Sequence, residues 1–159
     1  MSDRVVRRAR ATDRDAFVAL RAVMFEAMDV PGWDDDEWQQ AAGEWFERSW
    51  GSAEHCIVVA EVDGRVVATS VASLRDAVPS PGQPAGRRVL VHNVCTLPEA
   101  RGQGHAQAAF AEMMRWVREE SGAEGAELYA TAAGRTMYER AGFRESTYPA
   151  LRLGLTSHG

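Results

Sequence analysis

Cysteine is scarce in this chain: Cys56 and Cys95 are its two examples, both inside apolar runs and without a Cys-x-x-Cys pair. That excludes a cysteine-based metal motif and fits free buried thiols in a reduced compartment. The four histidines, His55, His92, His105 and His158, are too scattered to suggest a metal centre, so no metal is expected. No apolar run approaches the roughly 20 residues of a membrane span, and the N-terminus carries charge where a signal peptide needs an apolar core. The expected location is the cytoplasm. An excess of positive charge is also missing. A formal net charge of −5 disfavours nucleic acid or an anionic membrane as a whole-surface partner and suits a cationic small molecule better. The short basic run Arg4 to Arg10, interleaved with Val5, Val6 and Ala9, reads as an edge strand guarded by charge.

What the chain has is enough apolar residue for a core: 159 residues, 45% hydrophobic and 26% charged, predict one domain over 1–159. Arg4 to Ala9 alternates as a first strand. Thr12 with Asp15 forms a capping-box pattern, and Phe17, Leu20, Met24 and Met28 mark one face of a helix running to about Met28. Pro31-Gly32 ends it. A second helix is expected from an Asp34 cap, with Trp38, Ala41, Ala42 and Trp45 as its buried stripe, to about Gly51. Cys56 to Val62 and Arg65 to Leu74 read as strands joined by an Asp63-Gly64 hairpin. Residues 78 to 88 hold prolines and glycines that predict an irregular, mobile loop. A strand from Arg88 to Thr96, a helix from Gly104 to Glu120, a strand from Ala126 to Thr131 and a helix from Ala133 to Arg140 follow, then an extended stretch from Phe143 to Leu153. The order βααβββαβαβ joins an antiparallel half to a β-α-β half, so the fold class is α/β with a single mixed sheet flanked by helices.

After the strand ending at Thr96 the chain reads Leu97-Pro98-Glu99-Ala100-Arg101-Gly102-Gln103-Gly104-His105-Ala106 and enters a helix. Two glycines let backbone amides turn toward a ligand, and a helix start offers unpaired N–H groups and partial positive charge. An anion suits that place, with Ala106 small enough to admit it and Arg101 either assisting or bracing the loop. Neither a P-loop nor a dinucleotide fingerprint matches. An ordinary glycine-rich turn is the alternative.

This loop resembles the (Gln/Arg)-x-x-Gly-x-(Gly/Ala) signature of the GCN5-related N-acetyltransferases, with Arg101, Gly104 and Ala106 in the three fixed places. Tyr138-Glu139-Arg140-Ala141-Gly142-Phe143 is similar to the Tyr-Glu-x-x-Gly-Phe segment that closes the same fold. The resemblance implies a partly splayed sheet and acetyl-CoA as acyl donor. It places Val94, Cys95 and Thr96 along the pantetheine arm, and Gly102, Gln103, Gly104, His105, Ala106 and Gln107 at the pyrophosphate. Thr131 stands where the family often has Asn. Tyr138 matches the tyrosine that many members aim at the CoA sulfur.

The chemistry needs a group to take the proton of an amine with a pKa of about 10, and a donor for the departing thiolate. His92 is the candidate base, expected to share a strand face with Val94 and Thr96; a structural histidine is the other reading. It matches one of two histidines of arylalkylamine N-acetyltransferases, while Leu90 occupies the place of the second, and of the histone-acetyltransferase glutamate. A Cys95 nucleophile is disfavoured because His92, three residues away, is expected on the opposite face. Glu26, Asp29 and Trp33 are the acceptor-side candidates, acid and aromatic groups that suit a cationic amine. The expected function is acetyl transfer to a small amine such as a polyamine, an arylalkylamine or an aminoglycoside-like compound. A protein or peptide acetyltransferase and a non-catalytic acyl-CoA sensor are alternatives, and a homodimer is compatible with the chain.

Overall fold

The centre of the molecule is a hairpin that the sequence specifies locally. β-branched residues build β2 (His55–Val62) and β3 (Arg65–Asp76), and Asp63 and Gly64 turn between them with φ of 50° and 79°. Paired positive φ values are what a two-residue hairpin turn requires. β1 (Arg4–Arg8) adds antiparallel on the β2 side and β4 (Arg87–Thr96) antiparallel on the β3 side. β5 (Gly125–Glu127) pairs parallel with β4, giving a five-stranded mixed sheet in the order β1-β2-β3-β4-β5. This is a computed structural model, and it describes residues 3 to 156.

Helices cover both faces. On one side lie α1 (Arg14–Ala27) and α2 (Asp36–Ser49), where Phe17 and Phe46 pack with Ile57, Val59 and Val71, and Leu20 packs with Val67, Cys95 and Leu97. On the other lies α3 (His105–Glu119), burying Ala109, Phe110, Met113 and Val117. A polar touch crosses that face, as the Ser70 hydroxyl donates to Met113 Sδ at 3.2 Å.

Element ends differ from the sequence expectation for local reasons. Asp13, not Thr12 with Asp15, organises the start of α1: a 3-10 turn (Ala11–Asp13) precedes the helix, and the Arg10 amide donates to Asp13 Oδ2 at 2.7 Å. Arg7 also donates to this carboxylate, at 2.8 and 3.0 Å, and to Glu61 at 2.8 Å. Burial alone would raise the Asp13 pKa, but the bonds from Arg7 and Arg10 hold it below its ordinary value. In α2 the buried positions are Gly43, Phe46 and Ser49, one step round from the predicted stripe. Gly43 makes the room: a Cβ there would collide with the Arg14 guanidinium. The loop between β3 and β4 is irregular as expected, yet tied at its base, where the Ala85 and Gly86 amides both donate to Glu124 Oε1.

The chain divides into two units, Met1–Tyr129 and Ala130–Gly159. The second holds α4 (Arg135–Arg140), preceded by a turn in which Thr131 accepts the Gly134 amide through both its carbonyl and its hydroxyl oxygen. Two expectations fail here. The strand predicted to reach Thr131 ends at Glu127, and the stretch from Phe143 to Leu153 joins no sheet among the described residues. Leu151 and Leu153 in that stretch, and Leu155 just after it, are exposed.

Candidate active site

The site begins with a defect in β4. β3 slips once against β2, between Ala60 and Glu61, and its register against β4 jumps separately: Val71 lies opposite His92, and Thr69 lies opposite Cys95. Two steps on β3 therefore span three on β4, which defines a β-bulge on β4. Asn93 absorbs the extra residue with φ of 56°, a left-handed value that asparagine tolerates better than most side chains.

The bulge reverses the face assignment that simple alternation gives. Val71 and Thr69 point the same way, so their partners His92 and Cys95 share a face, the one under α1. Thr96 lies opposite Ala68 and faces α3's side. The expectation that His92 would share its face with Val94 and Thr96, and oppose Cys95, is corrected accordingly. The case against a cysteine nucleophile now rests on electrostatics. Burial pushes the Cys95 thiol up to about 12, and its Sγ lies 3.6 Å from the Asn93 carbonyl oxygen, leaving little thiolate near neutrality.

His92 is held by a polar chain running across three strands. Its Nε2 lies 2.8 Å from Ser73 Oγ, and the same hydroxyl lies 2.8 Å from His55 Nδ1. Since one hydroxyl carries one proton, Ser73 donates to one imidazole and accepts from the other. The Trp45 indole stands edge-on to both rings, with centroids 5.1 Å from His55 and 5.9 Å from His92. Burial, reinforced by the charge of Arg21, by His55 and by Arg75, holds the His92 pKa down at about 4. His92 is thus a neutral imidazole at physiological pH, fixed by a neighbour and able to accept a proton.

Beside it lies a pair that sequence reading did not single out. Arg21 of α1 donates from Nη1 to Asn93 Oδ1 at 3.0 Å and lies over the Phe25 ring, 4.8 Å from its centroid. Burial lowers its pKa, and among the described residues no carboxylate stands within ion-pair distance of it. Asn93 is 5% exposed, and its Nδ2 has no hydrogen-bond partner among the described residues. The one available signal was that α1 places an arginine beside its apolar stripe, which reads as an ordinary helix-edge charge.

The anion loop has the conformation that its glycines promise. Gly102 and Gly104 adopt φ of 77° and 78°, and Gly104 is the N-cap of α3. Ala108 is the first amide to reach back a full turn, to the Gly104 carbonyl, so the amides of His105, Ala106 and Gln107 precede the helical ladder. His105 is buried, with Nδ1 3.5 Å from Arg4 Nη1 and Nε2 3.4 Å from Gln103 Oε1. Arg4 also donates to the Gln103 carbonyl. Arg101 donates to the Thr96 carbonyl at 3.4 Å and so braces the loop against the end of β4.

Past Leu90, β4 has no strand partner on its β5 side among the described residues, because the parallel pairing covers Arg88 to Leu90 and stops. The edge from Val91 to Thr96 therefore keeps free backbone groups leading toward the loop, a fit for an extended, amide-bearing arm ending in a diphosphate. The remaining candidates lie elsewhere. Glu26 and Asp29 are exposed at the end of α1, and Trp33 is half-buried in the turn before α2. Tyr138 belongs to the second unit, where its ring lies over Gly134 and meets Phe143 edge-on at 6.4 Å. A cavity of about 500 Å³ lined by Arg7, Asp13 and Glu61 among others holds none of the predicted site residues, and its principal charges are already paired with one another.

Comparison with known proteins agrees with this geometry. Residues 18–143 match the acetyltransferase (GNAT) family. A predicted acetyltransferase from Clostridium acetobutylicum, solved with acetyl-CoA, is 21% identical with a TM-score of 0.81, over 98% of this chain and 97% of that one. A GCN5-related N-acetyltransferase from Ralstonia eutropha is 21% identical with a TM-score of 0.82, over 95% and 99%. An aminoglycoside N-acetyltransferase solved with CoA is 18% identical with a TM-score of 0.72, over 98% and 97%. No curated protein matches. With the family match spanning most of the sequence, and a bulged, open-edged strand leading into a glycine loop, the chain belongs to the acetyltransferase (GNAT) family, enzymes whose acyl donor is acetyl-CoA.

Proposed function

We propose that this chain transfers the acetyl group of acetyl-CoA to the primary amine of a small acceptor, by direct attack within a ternary complex. The observation that carries this reading is the break in β4. Between Leu90 and the loop at Arg101, the strand has an open edge, a bulge at Asn93 and a neutral imidazole at His92. When bound, acetyl-CoA supplies an activated thioester. The backbone of Val94, Cys95 and Thr96 is available to align its arm, and the amides from Gly102 to Gln107 to hold its diphosphate. Thr131 and Tyr138 are assigned to the same donor, Tyr138 as proton source for the departing sulfur.

The proton balance defines the task of His92. As the N–C bond forms and the C–S bond breaks, an ammonium gives up two protons, one ending on sulfur and one on a base. With its pKa near 4, His92 is about six decades too weak to strip a free ammonium of pKa about 10, an uphill step of about 8 kcal/mol. The attacking species is therefore the free amine in equilibrium with its ammonium, the first proton having left to solvent. The proposed role of His92 is to accept the second as bonding to carbon makes the nitrogen far more acidic, while Tyr138 protonates the sulfur and Ser73 holds the imidazole in place. Glu26, Asp29 and Trp33 are proposed to attract the cationic amine at the entrance.

The test is release of free CoA thiol from acetyl-CoA across polyamines, arylalkylamines, aminoglycosides, amino acids and peptides. The chain contains no lysine, so acetylation of its own side-chain amines adds no background. His92→Gln is expected to lower kcat/KM by about 10²-fold, the weak end of general-base effects because the base itself is weak. Failure of every amine to raise thiol release above hydrolysis, while acetyl-CoA still binds, overturns the reading.

A further inference from the structure

We infer that the acceptor carries a carboxylate beside its amine, as an amino acid does, and that Arg21 and Asn93 receive it. This rests on the N-acetyltransferase reading above and names its substrate class.

One unmet hydrogen-bond donor and one cation without a counter-charge, at the same place, carry the inference. Arg21 is a partly buried cation that holds one neutral hydrogen bond and an aromatic face, and no carboxylate among the described residues pairs with it. A guanidinium has five N–H donors in a planar fork, and removing it from water without a counter-charge is costly. Its contact also dictates the orientation of Asn93. Because Arg21 can only donate, the amide must turn Oδ1 toward it, which leaves Nδ2 as a buried donor without a partner. Natural cores satisfy nearly all such groups, so an orphan donor beside an uncompensated cation marks a place for an acceptor-rich anion.

The size of that anion follows from the donor set. One planar fork and one amide match the two oxygens of a carboxylate, while a doubly charged phosphoryl group would call for more cations than Arg21 alone. Position fixes the rest. Asn93 adjoins His92 on β4, so an anion on Asn93 and an amine on His92 lie one residue apart, as befits groups separated by one or two carbons.

Electrostatics gives the arrangement a catalytic consequence. Burial is the first cause of His92's weak basicity, and the charge of Arg21 is the next. A carboxylate seated on Arg21 cancels that charge, so the acceptor itself strengthens the base that serves it. Its decarboxylated analogue cannot.

The experiment compares each amino acid with its decarboxylated amine in the thiol-release assay: phenylalanine with phenethylamine, leucine with 3-methylbutylamine, β-alanine with ethylamine. Phosphoethanolamine is added to separate carboxylate from phosphate. The wild-type protein is expected to favour the carboxylate-bearing members in kcat/KM by tenfold or more. Arg21→Met is expected to raise KM for the acids tenfold or more and to abolish their preference over the plain amines; Arg21→Lys should restore part of the preference. Asn93→Asp guards against misfolding, because it gives Arg21 its counter-charge inside the protein. It should fold at least as well as the parent, judged by thermal melting, and lose the preference for acids.

Equal or better use of the decarboxylated amines, or of phosphoethanolamine, overturns the inference, as does an equal loss of both classes in Arg21→Met. If nothing turns over, the N-acetyltransferase reading fails, and the inference is judged separately by calorimetry in the presence of CoA. N-acetylphenylalanine should then bind at least tenfold tighter than N-acetylphenethylamine, and Asn93→Asp should erase the difference. Equal affinities sink it.

Discussion

The two faces of the same sheet are built on opposite terms. Toward α3, Val58, Ala60, Ala68 and Ala72 are fully buried on β2 and β3. Against them lie Ala109, Met113 and Val117. Toward α1 and α2, the apolar packing of Phe17, Phe46, Ile57 and Val71 is interrupted by a histidine pair joined through Ser73, by a cation on an asparagine and by a buried ion pair. Burying polar groups costs stability unless each finds a partner, so one face is built for packing and the other gives up packing for chemistry. Substitutions on the two faces should therefore fail in different currencies.

Met113→Ala, at the fully buried centre of the α3 face, is expected to cost about 2–5 kcal/mol in urea unfolding through lost burial and a residual cavity. Acetyl transfer per folded molecule should stay within about twofold of the parent. A large drop in specific activity without loss of stability would erase the contrast between the faces. On the α1 side, Asp13→Asn removes the partner of a buried arginine, and about 2 kcal/mol is expected to be lost. Its pH signature is specific. Asp13 titrates below its ordinary value when folded, so its contribution is present above pH about 4 and disappears as pH falls through the lower folded value. The parent should lose that stability in acid, while Asp13→Asn shows a flatter curve below pH 4.

His92 acts in a neighbouring window with its own sign. Its folded pKa of about 4 lies below the unfolded 6.5, so the unfolded chain binds the extra proton first. Stability is then complete above pH about 6.5 and declines as pH falls toward 4, by at most about 3 kcal/mol at about 1.4 kcal/mol per tenfold in proton affinity. His92→Gln should reduce this slope between pH 6.5 and 4, the remainder belonging to His55, whose pKa burial also lowers, while leaving the loss below it to Asp13. An unchanged slope would mean that His92 is already charged or solvated in the folded protein. In that case the α1 face would be less polar in effect than its contacts imply.

How far sequence reading penetrates differs between these regions, for a physical reason. Requirements written into the backbone of a few consecutive residues are legible: Asp63-Gly64 as a turn, and Gly102 and Gly104 as a glycine loop entering a helix. Requirements that arise between strands are not. The bulge at Asn93 depends on how β3 pairs with β4, and it swaps the faces of every later residue, so alternation counted from His92 puts Cys95 and Thr96 on the wrong faces. Arg21 looked like a helix-edge charge because its partner is 72 positions away. The extended stretch expected from Phe143 to Leu153 joins no sheet among the described residues because extended backbone does not by itself supply a neighbouring strand.

The smallest effect on the fold is expected at the loop, where the sequence spoke most directly. Gly104 has φ of 78°, and a Cβ there would meet only Arg4 Nη1 at 3.7 Å, so Gly104→Glu has room and suffers chiefly backbone strain of about 1–2 kcal/mol. A carboxylate at the start of α3 returns about 0.3–1 kcal/mol through the helix dipole, leaving a net loss near 1 kcal/mol by thermal unfolding. The same carboxylate would stand where the diphosphate is proposed to sit, and like charges at a shared site repel. CoA affinity by calorimetry should fall at least tenfold, about 1.4 kcal/mol, in a protein whose unfolding is barely altered. Unchanged affinity would move the diphosphate off this helix start. It would also detach the loop from the open edge of β4, leaving the α1 face without a donor to serve.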